Sequence, residues 1–413
     1  MAGLVGTRAA ERAVEGAGDG AAARLPLLDV LRGVAILGTL MSNVWIFAGP
    51  GAEWGVLGGN AATSAGGGAS SLAGVAETAF RFLANGKFLS MLTLLFGVGL
   101  AIQFRSAARR GLPWPGRYKW RALFLFAEGT VHFVLVFAWD VLMGYAVVAL
   151  LVAWLLTRSA RAQRVTWIVM GGLHLTAMTL FTAALLVASG GGTGAGTGGG
   201  AGGAPGAEAV ALYAEGGYGE QIAFRLSHAV LLRAEPVFSF GLLVFMFLLG
   251  VRLFRAGAFQ NDAAGRRIRR RLAGWGLGLG LPLNTLALLG GSDFFFLDRY
   301  GAAPVLAIGY VGLIGMAMDR LRHPGPPASA VTSALASVGR TALSCYVLQN
   351  VLAMLACYGI GLGLASRWAD SGPWWVLGLW AAICLVLVAG ANLWLRRFAH
   401  GPLESVQRRL LRR

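Results

Sequence analysis

Residues 121–157 read RALFLFAEGTVHFVLVFAWDVLMGYAVVALLVAWLLT, and their length and composition indicate the fold class. One helical membrane crossing takes roughly 20 apolar residues, so the stretch is long enough to cross a bilayer twice. Three polar side chains, those of Glu128, His132 and Asp140, interrupt the apolar pattern. Ionisable groups at membrane depth are costly, and each is therefore a candidate functional residue.

The composition extends this interpretation to the whole chain. Of the 413 residues, 56% are hydrophobic and 13% are charged, whereas a soluble domain carries about 25% charged residues. Long apolar runs recur throughout, which predicts an all-α, polytopic transmembrane helical bundle of about ten spans. The predicted spans are 27–48, 87–104, 121–139, 141–157, 165–188, 235–254, 272–290, 302–319, 335–364 and 374–395.

The positions of the basic residues predict the orientation. Of the 35 Lys and Arg residues, 27 lie in the two tails and the even-numbered loops. Basic residues mark cytoplasmic segments, so both termini are predicted to be cytoplasmic. The same rule explains the net charge of +17. Nucleic acid is not predicted as a partner, because the basic residues do not alternate with aromatic residues as they do in nucleic-acid-binding surfaces.

Composition also divides the chain into segments. Two membrane halves are predicted, separated by a Gly-rich outer linker and an outer amphipathic segment, and flanked by a disordered and a basic cytoplasmic tail. In chain order these segments are the tail 1–26, the half 27–188, the linker 189–206, the amphipathic segment 207–234, the half 235–400 and the tail 401–413.

Metal and nucleotide sites are not predicted. The cysteines lack ligand spacing and lie inside apolar spans, so we expect buried thiols and no metal; they are Cys345, Cys357 and Cys384. The chain contains neither a phosphate-binding glycine fingerprint nor the motifs of serine or zinc hydrolases.

The first span carries a polar stripe. Asp29 and Arg32 are three residues apart and can pair on one helix face. Asn43 follows eleven residues after Arg32, which places it on the same face roughly 16 Å further along the helix. This opening, with LLDVLRG, resembles that of the acyltransferase family 3 proteins, which have a catalytic His where this chain has Asn43.

Five motifs along the chain resemble, in order, those of the YeiB-like membrane proteins, domain-of-unknown-function family 418. The motifs are KFLSMLTLLFGVGLA (87–101), GTVHFVLVFAWDVLMGYA (129–146), FMFLLGVRLFRAG (245–257), GRTALSCYVLQN (339–350) and HGPLESVQRR (400–409). The resemblance implies a multi-pass protein of the bacterial inner membrane, related to transmembrane acyltransferases of the heparan-glucosaminide acetyltransferase type. The family pattern falls on His132 and Asp140.

Spacing adds Glu128 to this pair. Glu128 and His132 are four residues apart and face the same side of a helix. A carboxylate near an imidazole fixes its tautomer, which is how a general base is oriented. Glu128 is therefore predicted to orient His132, with Asp140 at the outer turn and Asn43 steadying the oxyanion.

Basic and polar residues elsewhere suggest where substrates bind. An acyl-CoA has phosphate groups that arginines bind well, and it would enter from the cytoplasm. Its predicted anchors are Arg32 with Asp29, Arg121, and Arg340 at the start of span nine. The predicted acceptor-binding residues are Tyr346 and Asn350 on span nine, and Arg225 and His228 on the outer amphipathic segment.

The sequence is compatible with three functions: an enzyme, a transporter and a non-catalytic assembly protein. The preferred hypothesis is an integral membrane acyltransferase that takes an acyl group from acyl-CoA to a hydroxyl or amine. Its acceptor would be a small molecule, a glycan or a lipid, with the bilayer and a second copy of the chain as further partners. The rival is a proton-coupled transporter or exporter that uses Glu128, His132 and Asp140 as a relay. A continuous cavity from Arg32 and Arg340 to His132 favours the enzyme.

Overall fold

The computed structural model describes residues 25–49, 51–56, 71–190, 206–321 and 330–412. Throughout these ranges the chain is helical and contains no β-strand, which confirms the all-α prediction. The predicted disordered tail and the Gly-rich linker fall almost wholly outside the described residues.

The longer helices are labelled α1 to α15. They are α1 (Pro26–Ala48), α2 (Leu72–Ala84), α3 (Lys87–Arg109), α4 (Tyr118–Leu135), α5 (Leu142–Leu155), α6 (Ala160–Gly190), α7 (Ala207–Glu215), α8 (Tyr218–Ser227), α9 (Phe240–Arg255), α10 (Ala263–Leu289), α11 (Ala303–Leu321), α12 (Ala330–Arg340), α13 (Ala342–Cys357), α14 (Trp374–Arg397) and α15 (Pro402–Arg412). Short turns of helix are Ala52–Gly55, Ala229–Leu232, Ala234–Phe238, Phe295–Leu297 and Leu364–Arg367, with a 3₁₀ turn at Ser292–Phe294 and a π-helical segment at Asp298–Ala302.

Six helical stretches in the described residues are long and apolar enough to cross a membrane. They are α1, α2 with α3, α6, α10, the stretch that ends with α11, and α14, and the bent pair α12 and α13 makes a seventh. Each of the ten predicted spans overlaps at least one helix, but several of these helices, including α5, are shorter than this criterion requires. The apolar helices thus support a membrane protein.

Predicted span nine, 335–364, is not one continuous helix. Its two parts, α12 and α13, meet at 88° around Thr341. The Thr341 hydroxyl donates back to the Ser337 carbonyl oxygen at 3.1 Å, a bond that bends helices. The freed backbone N–H of Leu343 donates to the Glu404 carboxylate at 2.8 Å. The sequence hides this break because the stretch is apolar on both sides.

Helix α12 packs closely against α1 through glycines. A Cβ added at Gly339 would overlap the carbonyl oxygen of Asp29, and one added at Gly33 would overlap that of Leu335. Small residues let membrane helices approach to backbone contact, which strengthens their packing in an apolar solvent. The crossing fixes the position of the bend and therefore the direction of α13.

We expect Gly339→Ala to destabilise the fold by about 1–3 kcal/mol, the usual cost of overpacking a tight contact. Gly278 on α10 is the matched control, since a Cβ there would meet no atom within 4 Å. Gly278→Ala should leave the stability unchanged or raise it by about 0.5–1 kcal/mol, because alanine is the better helix former. Thermal unfolding in detergent measures both variants, and equal unfolding midpoints would contradict the close crossing.

Candidate functional site

The site centres on His132 at the end of α4 and Asp140 just before α5. The Nδ1 atom of His132 lies 2.9 Å from Oδ2 of Asp140, and both residues are only 2% exposed. An ionised carboxylate only accepts hydrogen bonds, so Nδ1 carries the proton and Nε2 keeps its lone pair. Asp140 therefore takes the orienting role that the sequence analysis assigns to Glu128.

Several groups fix the Asp140 carboxylate in place. Its Oδ2 also accepts a hydrogen bond from the Tyr346 hydroxyl at 3.1 Å, and Oδ1 accepts from the Leu142 N–H at 2.9 Å. The latter bond puts a negative charge at the N-terminus of α5, where the helix dipole stabilises it. Gly129 lets α4 come this close, because a Cβ there would lie 2.8 Å from Oδ1.

Two asparagines extend the arrangement on the other side of the imidazole. The Nδ2 atom of Asn350 lies 3.3 Å from Nε2 of His132, and its Oδ1 accepts from Nδ2 of Asn43 at 3.2 Å. The result is a buried chain of side chains in the order Asn43, Asn350, His132 and Asp140. This chain of side chains joins α1, α13, α4 and the start of α5. It brings together four of the residues that the sequence predicts for the site.

Glu128 lies one turn before His132 and makes no hydrogen bond to it. Both of its carboxylate oxygens are buried and have no hydrogen-bond partner in the described part of the chain. The side-chain amide of Gln349, beside Asn350 in sequence, is also buried with both atoms unpaired among the described residues. Buried polar atoms of this kind usually bind water or a ligand, so both residues mark polar space next to the site.

The predicted acyl-CoA anchors gather at one end of the bundle. Arg32 forms an ion pair with Asp29 at 3.4 Å, and it interacts electrostatically with Arg121. Arg340 donates to the Ala399 carbonyl oxygen at 3.5 Å, next to the loop that leads into α15. Arginines from α1, α4 and α12 thus lie near the bend between α12 and α13.

Arg225, predicted to bind the acceptor, is instead fully buried. Its Nε donates to Oε2 of Glu53 at 2.9 Å and its Nη2 to Oε1 at 3.2 Å, which makes a two-point ion pair. Its Nη1 donates to the Val134 carbonyl oxygen at 3.1 Å. Because these groups occupy the guanidinium, the role of Arg225 is revised from acceptor binding to attaching α8 to the end of α4.

The Glu53 carboxylate binds several buried side chains, and we call this group of Glu53, Arg225, Tyr213 and Tyr358 the Glu53 cluster. Its carboxylate also accepts from the hydroxyls of Tyr213 at 3.0 Å and Tyr358 at 3.3 Å. Burial by itself lowers the pKa of Arg225, but the attraction of the Glu53 carboxylate outweighs it and raises that pKa above its ordinary value. Arg225 is therefore charged, and its contacts join the outer segment, the end of α13 and the turn after α4.

His228, the other predicted outer residue, packs in an aromatic cluster. Its ring lies 4.4 Å from that of Phe224 and 4.9 Å from that of Trp54, centroid to centroid. Its Nδ1 lies 3.0 Å from the Phe224 carbonyl oxygen. The structure thus places His228 beside the Glu53 cluster, whereas Tyr346 and Asn350 contact Asp140 and His132.

Sequence reasoning missed Arg233, which contacts the site. Its Nη1 donates to the backbone oxygen of Asp140 at 2.9 Å, and its Nη2 contacts the sulfur of Met143. The available signal was a charge at the end of the amphipathic outer segment. For Glu53 the signal was a single charge within residues 49–70. Within the described ranges, no group of three His, Cys, Asp or Glu side chains is arranged to hold a metal ion.

Comparisons with known proteins show similarity to a family model and to two proteins of similar length. Residues 253–413 match the family described as "Protein of unknown function (DUF418)". Over 402 residues, covering 93% of this chain and 95% of the relative, the chain is 29% identical to "Uncharacterized protein YeiB" of Escherichia coli (strain K12). It is 25% identical over 396 residues, 93% of each chain, to "Uncharacterized protein YxaH" of Bacillus subtilis (strain 168). The predicted resemblance to YeiB-like proteins is confirmed.

Proposed function

We propose that this chain, which is similar to YeiB and matches the family 418 model over residues 253–413, is an integral membrane acyltransferase that moves an acyl group from acyl-CoA to a hydroxyl or amine. One observation carries the proposal, the buried pair of Asp140 and His132. The carboxylate holds the proton on Nδ1 and leaves the Nε2 lone pair, as general-base catalysis requires. The absence of a hydrogen bond from Glu128 to His132 assigns the orienting role to Asp140.

The mechanism follows from the protonation states. His132 Nε2 takes the proton of the acceptor hydroxyl or amine as it attacks the thioester carbonyl. Asp140 stabilises the imidazolium that forms, and this proton then passes to the departing CoA thiolate. The Asn350 amide, which lies against Nε2, is the donor nearest the developing oxyanion. Asn43, whose own donor is taken up by Asn350, holds that amide in place.

The arginines near the bend between α12 and α13 would hold the acyl-CoA phosphates. Guanidinium groups bind phosphate through two parallel hydrogen bonds, and Arg32, Arg121 and Arg340 lie at the same end of the bundle. In the proposed arrangement about ten spans cross the bacterial inner membrane with both termini cytoplasmic. Acyl-CoA then binds from the cytoplasm, and the small-molecule, glycan or lipid acceptor reaches His132 from the outer half.

A second candidate, a proton-coupled transporter, has one observation in its favour. Discontinuous helices are typical of transporters, and α12 and α13 form a break of 88°. Glu128, with both oxygens unpaired among the described residues, would then join His132 and Asp140 in a proton relay. Solute uptake that depends on Glu128 and proceeds without acyl-CoA would select this alternative.

Transfer of an acetyl group from one side of a sealed vesicle membrane to an acceptor on the other side tests the proposed acyltransferase. Inside-out membrane vesicles are loaded with glucosamine, and acetyl-CoA labelled in its acetyl group is added outside. We expect labelled acetylated product inside vesicles that contain the wild-type protein, and loss of that product with His132→Gln. His174→Gln is the matched control, because His174 is a buried histidine whose Nε2 contacts a backbone oxygen, that of Tyr300. Equal product from His132→Gln and the wild type would reject the proposed base.

A further inference from the structure

The basic C-terminal segment, which the sequence predicts as a tail, forms the amphipathic helix α15. With 11 residues it is too short to cross a bilayer, which takes roughly 20. One face packs against the bundle, since Gln407 is buried and both Leu403 and Leu411 are half-buried. These three positions recur every four residues, as neighbours on one helix face do.

The first turn of α15 is attached to the bend between α12 and α13. Glu404 Oε1 accepts a hydrogen bond from the Leu343 N–H at 2.8 Å, and Oε2 accepts one from the Ser344 hydroxyl at 2.5 Å. The Leu403 N–H donates in return to the Ser344 hydroxyl oxygen at 3.1 Å. The packed face therefore holds the start of α13.

An apolar edge of α15 faces away from the protein. Val406 is 47% exposed and Leu410 is 57% exposed, and the two lie one turn apart on the same edge. Arg409 is exposed beside them. At a bilayer surface such an edge is buried among acyl chains while the guanidinium stays with the headgroups. Short helices of this kind lie in the plane of the membrane surface.

Aromatic side chains place the start of α15 at the depth of a membrane surface. Trp394 and Phe398, at the end of α14, are exposed and stack with their ring centroids 4.3 Å apart. Trp is enriched where a membrane meets water, and the exposed Arg396 and Arg397 lie between the two rings in sequence. Trp394 Nε1 donates to the His400 carbonyl oxygen at 2.9 Å. This bond joins the aromatic pair to the loop that leads into α15.

The charge of α15 indicates which lipids it binds. Its one carboxylate, that of Glu404, is engaged at the bend, whereas Arg408 and Arg409 are exposed. Arg408 also interacts electrostatically with Arg121, so the basic surface continues onto α4. An arginine near an anionic membrane surface strengthens binding about fivefold. The charges of this surface therefore complement anionic headgroups.

We propose that α15 lies in the membrane surface and binds the headgroups of anionic phospholipids, with Val406 and Leu410 among the acyl chains. The proposal does not depend on acyl transfer. Through Glu404 the lipid-bound helix holds α13, which carries Asn350 to His132. Lipid contact and the geometry of the site thus share one helix.

Fluorescence quenching by brominated lipids tests the depth of α15. A bimane label is placed on Leu410→Cys or on Ser405→Cys, each in a Cys384→Ala chain, because Cys345 and Cys357 are buried. Ser405 is the matched control, since it lies about 140° around the same helix from Leu410. In vesicles of phosphatidylcholine brominated on its acyl chains, we expect strong quenching at position 410 and weak quenching at position 405. No quenching at position 410, or equal quenching at both positions, would overturn the proposal.

The headgroup preference is measured at the same label on Leu410→Cys. Brominated phosphatidylglycerol and brominated phosphatidylcholine are compared at equal mole fraction in phosphatidylcholine vesicles, and the anionic lipid should quench more. Arg409→Gln should lower this preference about fivefold, and Arg409→Lys should keep it. Arg267→Gln, at an exposed position on α10, is the control and should leave the preference unchanged. Equal quenching by the two lipids, or an equal loss in both Arg409 variants, would reject anionic headgroups as the partner.

Discussion

Glu53→Gln is expected to lower the free energy of unfolding by about 3–5 kcal/mol, because it leaves a buried guanidinium without its counter-charge. Arg225 and Glu53 are both fully buried and share two hydrogen bonds. A glutamine keeps the shape of the side chain but offers only one acceptor oxygen to Arg225 and the two tyrosine hydroxyls. The outer segment should therefore detach from α4 and α13 more readily.

Thermal unfolding in detergent measures this loss, with Arg255→Ala as the control. Arg255 also makes a side-chain hydrogen bond, to Gln163 at 2.8 Å, but at an exposed position. Such exposed contacts contribute about 0–1 kcal/mol, so the control should unfold close to the wild type. The double variant Glu53→Gln with Arg225→Met should lose less than the sum of its parts, since it removes both charges. Strict additivity would show that the two residues do not act as a pair.

Asp140→Asn is expected to lower acyl transfer by about 10²–10⁴-fold while the protein stays folded. The amide of asparagine presents N–H or a neutral oxygen to His132 Nδ1, so the imidazole is no longer held with its proton on Nδ1. In the other tautomer Nε2 carries the proton and cannot act as a base. The Leu142 N–H keeps the amide oxygen as its acceptor, and the Tyr346 hydroxyl, which donates to Oδ2 in the wild type, accepts from the amide N–H instead. The turn is therefore preserved.

The control for Asp140→Asn is Asp370→Asn, which makes the same chemical change at an exposed position. It should transfer at the wild-type rate. Initial rates at saturating acetyl-CoA separate the effect on the chemical step from any effect on binding. A wild-type rate in Asp140→Asn would show that the buried carboxylate does not orient the base.

The centre of the site was partly predictable from the sequence. Polar residues in an apolar hairpin must have partners, so the spacing singled out His132 and its neighbours. Helical periodicity favoured Glu128 as the orienting group, four residues away. The chain turns after Leu135, however, and this turn brings Asp140 back onto the imidazole. Periodicity applies only within one helix, so it cannot anticipate a contact made across a turn.

Contacts between distant segments were not predictable in the same way. Glu53 and Arg225 are buried against one another across 172 positions of sequence, and in the sequence each is a charge in a predicted outer segment without an evident partner. Glu235 and Arg299 form a similar pair. A charged residue outside an apolar span is predicted to be exposed to solvent unless its partner is known. A single sequence does not show which charged residues form pairs.

The bend at Thr341 shows a third limit of sequence reasoning. Hydropathy predicted one long span over 335–364, because both halves are apolar. Nothing local marks the bend except Thr341 and Ser337, which are common in membrane helices. The cap that stabilises it comes from Glu404, in the C-terminal helix. The direction of α13, and with it the position of Asn350, therefore depends on the last helix of the chain.

Thioester cleavage by the purified protein tests whether His132 is the base of an acyltransferase. Detergent-solubilised wild-type protein, His132→Gln and His174→Gln are each incubated with labelled acetyl-CoA and glucosamine, and the release of CoA thiol is followed. We expect release by the wild type and by His174→Gln, and a rate lower by about 10²-fold or more in His132→Gln. No release by the wild-type protein, or equal release by His132→Gln, would contradict it.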